Sequence, residues 1–338
     1  MTQLNKFSYP NKLIDPFGRH VDYVRISVTD RCDFRCQYCM AEDMQFLPRK
    51  DILSFEEIEF IARAFTELGI SKIRLTGGEP LVRHDSEQLI ASLGRLPDLK
   101  ELTLSTNGSR LSEMSVALKD SGVQRINISL DSLDADKFHR ITRTGKLDKV
   151  IAGIDAAVDT GFKRLKINSV IMHGHNDEEV LDLLEFAIER GLDVSFIEEM
   201  PLGNVNHDRA VSYCSSDEVK ALIEKKYQLI PTAEATNGPS RYFKLVGIEK
   251  TRVGFISPHS HNFCGSCNRV RLTAEGRLLL CLGNEHSADL RAVVRQYPGD
   301  LNRLKQEIVE AVARKPERHY FDLNEEPQIV RFMNMTGG

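Results

Sequence analysis

Six of the seven cysteines fall into two groups of three, and their spacing is the first sign of chemistry in the sequence. The groups are Cys32-x3-Cys36-x2-Cys39 and Cys264-x2-Cys267-x13-Cys281, and Cys214 stands alone. Three thiolates can hold a metal centre, but they cannot complete a four-coordinate structural zinc site by themselves. An iron–sulfur cube with three protein ligands leaves one iron free for an outside ligand. The odd cysteine count also argues against a disulfide framework.

The two groups differ in how strongly spacing identifies the metal. The first follows a predicted strand directly, where α/β barrels carry their active sites, and its spacing favours an iron–sulfur cluster over a zinc loop or three unrelated thiols. For the second, a predicted hairpin around Ala274-Glu275-Gly276 carries Cys281 back beside Cys264 and Cys267. Zinc and an iron–sulfur cluster stay equally open here, because His259 or His261 could supply a fourth zinc ligand.

The elements that must position these groups alternate between short β-branched runs and helical patterns over residues 20–200. The predicted strands are Tyr23–Val28, Lys72–Leu75, Glu101–Leu104, Arg125–Leu130, Leu165–Val170 and Asp193–Ile197. The clearest helix, Ser54–Gly69, begins with a capping box of Ser54 and Glu57 and ends at a glycine. The other helices are predicted near Ser86–Leu96, Ser112–Gly122, Lys149–Gly161 and Asp177–Gly191. About six βα units predict an α/β fold with a partial (β/α)6 TIM-type barrel.

The chain changes character after about Gly203. A helix near Ser216–Tyr227 and another at Leu301–Ala313 enclose hairpin-like segments, which predicts an appended C-terminal α+β subdomain. These segments are Tyr242–Val246, Arg252–Ile256, Val270–Thr273 and Arg277–Leu280. We therefore expect two domains, residues 1–203 with the first cysteine group and residues 204–338 with the second.

Composition and charge limit the class of protein. The 338 residues are enough for about two domains at roughly 150 residues each. Hydrophobic residues make up 41% and charged residues 28%, which excludes a disordered or collagen-like chain. A formal net charge of −4 provides no global basic field, so we expect no nucleic-acid partner. Because no apolar run approaches the ~18 residues of a membrane span and no signal-peptide core begins the chain, we expect a cytoplasmic protein without a membrane partner.

Three predicted strands carry polar and cationic side chains on one face and Val, Ile or Leu on the other. Alternate residues share a face, and the polar sets are Arg25, Ser27 and Thr29; Lys72, Arg74 and Thr76; and Arg164, Lys166 and Asn168. Ordinary barrel strands are hydrophobic on both faces because both are buried. The pattern predicts a lumen for a charged ligand, since unpartnered buried cations are costly. The alternative is a set of edge strands with solvated faces.

The first cysteine group and the next predicted strand together resemble the radical S-adenosylmethionine (SAM) superfamily. The cysteines match its C-x3-C-x-aromatic-C signature with Tyr38 as the aromatic residue, and Gly77-Gly78-Glu79-Pro80 matches its Gly-Gly-Glu-Pro motif. Without that context the second segment is an ordinary βα turn. The resemblance implies a [4Fe–4S] cluster on the three cysteines with SAM on the fourth iron. It also implies SAM contacts from Tyr38, Gly78, Glu79, Ser129 and Met200.

Nearly the whole chain resembles the GTP 3′,8-cyclase family, which acts first in molybdenum-cofactor biosynthesis. The resemblance rests on residues 25–32, 73–80, 105–108, 127–131 and 263–272 and on the terminal diglycine. It implies a second [4Fe–4S] cluster on Cys264, Cys267 and Cys281, whose open iron binds the guanine of GTP. It also implies GTP contacts from Arg25, Arg74, Ser105, Lys166, Arg269 and Arg271, and a catalytic tail ending in Gly337 and Gly338.

Two residues depart from the family pattern, and one cysteine has no place in it. Ser105 stands where threonine is common, and Ser195 stands where an arginine can occur, so an anion contact from that strand is in doubt. Cys214 matches no cluster position, and we expect it to be a structural or surface thiol.

The resemblance implies a lyase that uses SAM chemistry on GTP. A 5′-deoxyadenosyl radical takes hydrogen from ribose C3′, and C3′ then attacks guanine C8 to give (8S)-3′,8-cyclo-7,8-dihydroguanosine 5′-triphosphate. A homodimer, a flavodoxin-type electron donor and a downstream cyclic pyranopterin monophosphate synthase are further expectations. The alternatives are another radical SAM enzyme with an auxiliary cluster, which modifies peptides or RNA, and a non-enzymatic zinc or iron–sulfur module.

Overall fold

A computed structural model describes residues 12–205, 207–234, 236–319, 321–322 and 329–337. The strands of its first two thirds are β1 (Leu13–Ile14), β2 (His20–Val21), β3 (Tyr23–Ser27), β4 (Lys72–Thr76), β5 (Glu101–Thr106), β6 (Val123–Ser129), β7 (Arg164–Ile171) and β8 (Asp193–Glu198). The remaining strands are β9 (Leu229–Pro231), β10 (Arg241–Leu245), β11 (Ile248–Ile256), β12 (Arg269–Leu272), β13 (Arg277–Leu279) and β14 (Ser287–Asp289). All six predicted barrel strands are present.

The helices also follow the prediction, with several additions. They are α1 (Phe55–Glu67), α2 (Ser86–Gly94), α3 (Leu111–Asp120), α4 (Ala135–Thr142), α5 (Leu147–Thr160), α6 (Val180–Arg190), α7 (Arg209–Ser212), α8 (Ser216–Glu224), α9 (Leu290–Gln296), α10 (Leu301–Val312) and α11 (Met333–Thr336). The capping box of Ser54 and Glu57 is confirmed at α1. Helices α4, α7, α9 and α11 are additions, and each has eight residues or fewer.

The sheet is a partial barrel, as predicted. Its strand order is β14-β13-β12-β3-β4-β5-β6-β7-β8-β11-β10-β9, and β3 to β8 are parallel neighbours in chain order. Strands β14 and β9 are the two edges, so in the described residues no ladder closes the ring. The apolar face of each central strand packs under the helices, where Val24, Ile26, Ile73 and Leu75 are fully buried.

The C-terminal strands extend this sheet on both sides. Strand β11 pairs in parallel with β8, and β12 pairs in parallel with β3. The predicted hairpin of β12 and β13 is confirmed by the pairing of Arg271 with Leu279. Residues from the C-terminal part of the chain therefore form walls of the same lumen as the six barrel strands.

Candidate active site

The register of the sheet places three arginines side by side on the lumen face. Arg271 on β12 pairs with Arg25 on β3, and Arg25 pairs with Arg74 on β4. Burial lowers the pKa of Arg271, and the charges of Arg25 and Arg269 lower it further. Three adjacent guanidinium groups repel each other strongly away from bulk water, so this row is suited to a bound polyanion.

The amino ends of the strands form a different, self-neutralised layer, which we call the barrel floor. Glu101, the first residue of β5, contacts Lys72 at 2.9 Å and Arg125 at 3.1 Å. Asp193, the first residue of β8, contacts Arg252 at 2.7 Å. Lys72 also donates to the backbone carbonyl of residue 236 at 2.7 Å, so the segment before β10 covers the floor. Each cation of the floor therefore has a carboxylate partner from the protein itself.

Above the floor, the lumen cations contact hydroxyl groups and an aromatic ring. Arg74 donates to the Ser105 hydroxyl at 3.2 Å, and Lys166 donates to the Ser195 hydroxyl at 3.2 Å. Arg269 lies over the ring of Phe263 at 5.3 Å. The structure thus brings the six predicted GTP contacts into one lumen, although no ion pair with a described carboxylate is found for Arg74, Lys166 or Arg269.

Tyr23 is a lumen residue that the sequence analysis missed. Its hydroxyl accepts from Arg74 Nε at 2.6 Å and from Arg25 Nε at 3.2 Å, and its side chain is buried. Burial by itself raises the pKa of Tyr23, but the charges of Arg25, Arg74 and Lys72 lower it to about 6. Tyr23 precedes Arg25 by two positions, so strand periodicity already placed it on this face.

The position of Ser195 is closely packed on the side away from Lys166. Its hydroxyl lies 2.9 Å from that of Ser240, and a Cβ added to Gly254 on the neighbouring strand would lie 2.6 Å from Ser195 Oγ. Tyr242, paired with Gly254, faces the same space. Burial raises the pKa of Tyr242, but the charge of Lys166 lowers it to about 8. Serine, glycine and tyrosine together fill the volume that an arginine needs.

The first cysteine group lies in the loop after β3 and faces one cavity. Cys32, Cys36 and Cys39 line it together with Tyr38, Gly78, Glu79, Ser129 and Met200, which are the predicted SAM contacts. Burial raises the pKa of the Cys36 thiol, and it raises that of Cys39 to about 12. Buried thiols of this kind become thiolates only with a cation, which suits a metal cluster.

The glycine motif is held against the cysteine loop by backbone contacts. The Gly78 amide donates to the Thr29 carbonyl at 2.7 Å, and a Cβ on Gly78 would lie 2.3 Å from the Arg31 carbonyl. Glycine is therefore required for this approach. Glu79 is buried and accepts from the Asn107 amide at 2.7 Å and from Thr106 Oγ1 at 2.8 Å. Burial raises the pKa of Glu79 to about 7.

The second cysteine group lines a cavity that continues into the cation-rich lumen. Cys264, Cys267 and Cys281 share this cavity with Arg25, Arg269 and Arg271. Burial raises the pKa of Cys267, but the charges of Arg269 and Lys315 lower it to about 7. Lys315 donates to Cys267 Sγ at 3.6 Å. Three thiols, one of them close to ionisation, again form an incomplete cage suited to a cluster with one open iron.

The two histidines of the zinc alternative are hydrogen-bonded to groups other than these cysteines. His259 Nε2 lies 2.9 Å from the Glu199 carbonyl, and His261 Nε2 lies 2.9 Å from the Asp217 carboxylate. His319 instead lies with Nδ1 3.0 Å from Cys264 Sγ. No motif distinguishes His319, which follows α10 in a polar stretch, so the sequence carried no signal for it.

The C-terminal tail enters the lumen between the two cysteine groups. The Met333 amide donates to the Cys39 carbonyl at 3.2 Å, and Asn334 donates to the Asp30 carbonyl at 2.9 Å. Arg271 donates to the Gly337 carbonyl. A Cβ on Gly337 would lie 2.0 Å from Thr76 Oγ1, so the tail tip rests on β4. The predicted contribution of Gly338 lies outside the described residues.

Four residues line both cavities, so the two cysteine groups face a common space. They are Asn168, Ile197, Met200 and Met333. The Asn168 Oδ1 atom is buried, and no described residue bonds to it. A buried acceptor without a partner is costly, so this atom indicates that a polar ligand occupies the space between the cavities.

Cys214 is part of the hydrophobic core, with 2% of its surface exposed. Of the two expected roles, a structural or a surface thiol, this burial supports the structural one. Among the described helices, none combines the length and apolarity needed to cross a membrane.

The chain matches two family models and curated relatives over nearly its full length. Residues 26–187 match the family model described as Radical SAM superfamily, and residues 192–321 match the one described as Molybdenum Cofactor Synthesis C. A GTP 3′,8-cyclase of Ectopseudomonas mendocina is 58% identical over 331 residues, covering 98% of this chain and 100% of the relative. A GTP 3′,8-cyclase of Pseudomonas fluorescens is 60% identical over 327 residues, covering 96% and 98%.

The fold is similar to that of a solved structure with little sequence identity. Streptococcus suis SuiB bound to S-adenosylmethionine superposes with a TM-score of 0.61 at 16% identity, over 94% of this chain and 78% of SuiB. This likeness supports the fold alone.

Proposed function

Because the chain belongs to the GTP 3′,8-cyclase family of radical SAM enzymes, we propose that its lumen binds GTP between two [4Fe–4S] clusters. One observation carries the proposal: two groups of three buried or partly buried cysteines face a common space, and Arg25, Arg269 and Arg271 line the part of it beside the second group. Membership of this family removes the peptide- or RNA-modifying and zinc-module alternatives. The reaction is the cyclisation of GTP that begins molybdenum-cofactor biosynthesis.

The donor sets fit the groups that the family requires. Cys32, Cys36 and Cys39 would hold the first cluster, with SAM on its open iron, and the second cysteine group would hold the other. When bound, these groups supply the one-electron cleavage of SAM that starts hydrogen removal from ribose C3′ of GTP and its closure onto guanine C8. The orphan Asn168 Oδ1 and the cradle at Gly78 support ligands in this cavity.

The protein's own part in the reaction is to bind, orient and shield. Arg25, Arg74 and Arg271 form a row that suits the triphosphate, because guanidinium groups form paired hydrogen bonds with phosphate oxygens. Lys166 and Arg269 add charge on either side of this row. The floor carboxylates Glu101 and Asp193 neutralise the cations below, so the triphosphate meets only the upper cations.

The SAM side is organised by rigid backbone contacts. We place SAM beside Tyr38, Gly78, Glu79, Ser129 and Met200, all of which line the first cavity. Tyr38 donates to Asp131 at 2.7 Å, which fixes the ring between the cysteines and β6. Burial raises the pKa of Asp131 to about 6. The tail with Gly337, and the terminal Gly338 beyond it, would close the lumen around the reacting ribose.

Metal content and product analysis together test this proposal. Anaerobic reconstitution with iron and sulfide should give about eight irons per chain, and about four irons with one zinc would contradict the GTP site. Incubation with GTP, SAM and dithionite should then yield 5′-deoxyadenosine and cyclised GTP by mass analysis. Loss of GTP binding in Arg269→Ala with SAM cleavage retained would support the placement of the triphosphate.

The finer expectations about partners belong to the same proposal. We place the protein in the cytoplasm as a homodimer that receives electrons from a flavodoxin-type carrier. Its product would pass to cyclic pyranopterin monophosphate synthase. Light scattering of the reconstituted protein tests the dimer, and a monomer at micromolar concentration would contradict it.

A further inference from the structure

A basic basin lies on the outer side of the barrel, next to the first cysteine loop. It is an open cavity of about 1050 Å³ between the loop after β3, the start of α1 and the segment after β4. Its cationic residues are Arg31, Arg49, Lys50, Arg83 and Arg295, and the acidic ones are Glu56 and Asp85. The chain as a whole carries −4, so this is a local concentration of positive charge.

Three of these cations are available to a partner. Arg31, Arg49 and Lys50 have exposed side chains, and no ion pair to them is found in the described part of the chain. The other two are fixed in the wall, because Arg83 donates to the Leu53 carbonyl at 2.8 Å and Arg295 contacts Glu57 at 2.7 Å. The basin is therefore a rigid frame that carries three free positive charges.

The basin also adjoins a cluster ligand along the chain. Arg31 lines it and is peptide-bonded to Cys32. The Arg31 carbonyl accepts from the Glu79 amide at 2.8 Å, so this segment separates the basin from the SAM cavity by one layer of backbone. On the inner side, the segment before β10 covers the floor and the tail enters the lumen.

We propose that the basin is the docking site of an acidic one-electron carrier protein that reduces the first cluster. The inference rests on the proposed function, which needs one electron at that cluster for each SAM cleaved. One electron leaves the reduced carrier and enters the cluster, so the carrier is oxidised by one electron and no atom is transferred. Opposite charges steer such encounters and hold them in register, with strong dependence on ionic strength.

The chain provides a matched control. A second, smaller groove beside the same loop is lined by Asp33, Arg110, Glu113, Lys146 and Lys149, where acidic residues offset more of the positive charge. The double variants Arg49→Glu/Lys50→Glu and Lys146→Glu/Lys149→Glu change the net charge equally. None of these four residues is placed in the catalytic machinery.

The experiment measures carrier binding and cluster reduction on the reconstituted protein, with flavodoxin as the probe. We expect the dissociation constant for flavodoxin to rise at least about tenfold in Arg49→Glu/Lys50→Glu and to change less than about twofold in Lys146→Glu/Lys149→Glu. The rate of cluster reduction by flavodoxin, followed by electron paramagnetic resonance, should fall in the same order. Turnover driven by dithionite should stay at the wild-type level in both variants.

Several outcomes overturn the inference. Unchanged flavodoxin affinity in Arg49→Glu/Lys50→Glu, or an equal loss in the control variant, would exclude the basin. The wild-type protein gives an independent test, because its affinity should weaken at least about tenfold between 50 and 300 mM salt. If dithionite fails to drive cyclisation even in the wild type, the proposed function fails instead, and the two failures are thereby distinguished.

Discussion

Replacing Gly337 with alanine is the sharpest perturbation of the tail that the structure offers. Gly337 has φ +71° and ψ 91°, a conformation that favours glycine. Alanine in left-handed backbone costs about 1–2 kcal/mol. The added Cβ would also lie 2.0 Å from Thr76 Oγ1, so either β4 or the tail must move. If the tail moves, the charged hydrogen bond from Arg271 to the Gly337 carbonyl is lost, at about 1.5–3 kcal/mol.

In the seated tail the backbone strain adds to the overpacking against Thr76, at about 1–3 kcal/mol, so the sum is about 2–5 kcal/mol, or roughly 30-fold or more in the population of the seated tail. We therefore expect Gly337→Ala to lower the rate of cyclised-GTP formation by at least about 30-fold. GTP affinity should change much less, because Arg25, Arg74 and Lys166 are untouched. Anaerobic turnover with dithionite, followed by mass analysis of 5′-deoxyadenosine and cyclised GTP, measures both coupled and uncoupled SAM cleavage.

Thr76 provides the matched partner for a double-mutant cycle. Thr76→Ala removes the Oγ1 atom that the new Cβ meets, at the cost of a 3.3 Å hydrogen bond to the Ile26 carbonyl. The double variant should recover about tenfold of the activity lost in Gly337→Ala, a coupling of about 1.4 kcal/mol. Additive losses, or wild-type turnover in Gly337→Ala, would refute the argument that this contact seats the tail.

Three further predictions concern the lumen and the clusters. Folding lowers the pKa of Tyr23 from 10.0 to about 6. The stabilisation by its ionised form is therefore complete above pH 10, the unfolded pKa, and is lost as the pH falls through 6. The difference in melting temperature between wild type and Tyr23→Phe, without GTP, should therefore shrink from pH 8 to pH 5.5; a constant difference would contradict it. Ser195→Arg should lower the free energy of unfolding by about 1–3 kcal/mol in denaturant titration, because the site is packed, and unchanged stability would disprove this. Cys281→Ser should reduce iron from about eight to about four per chain, whereas Cys214→Ser should keep eight; equal iron contents would contradict the assignment.

Periodicity along the chain predicts the barrel well, because it depends on local rules. Each central strand has one apolar and one polar face, and residues two apart share a face, so the sequence alone suffices to place Arg25 and Arg74 in a lumen. Cysteine spacing likewise predicts two incomplete cages. The extent of the strands is less predictable: β5 continues to Thr106 and thereby carries Ser105 within the strand.

Contacts between distant segments could not be predicted in the same way. The pairing of Asp193 with Arg252 joins residues on β8 and β11, and the position of His319 beside Cys264 depends on the path of the chain after α10. Neither leaves a periodic or motif signal. The histidines of the zinc alternative show the same limit, since His259 and His261 are hydrogen-bonded to Glu199 and Asp217, which lie far from them in the sequence.

The division of the lumen into two layers explains how an acidic chain can hold a polyanion. Carboxylates occur where strands β5 and β8 begin, and there Glu101 and Asp193 neutralise the cations next to them. Nearer the carboxyl ends, Arg74 contacts the hydroxyl groups of Tyr23 and Ser105, and Lys166 contacts that of Ser195. A buried cation beside a serine hydroxyl is solvated but not neutralised by a carboxylate, so it still attracts an anion that enters the lumen. The level at which a triphosphate binds therefore depends on two features of the described residues. Arginines are present there, and carboxylates that would neutralise them are confined to the floor.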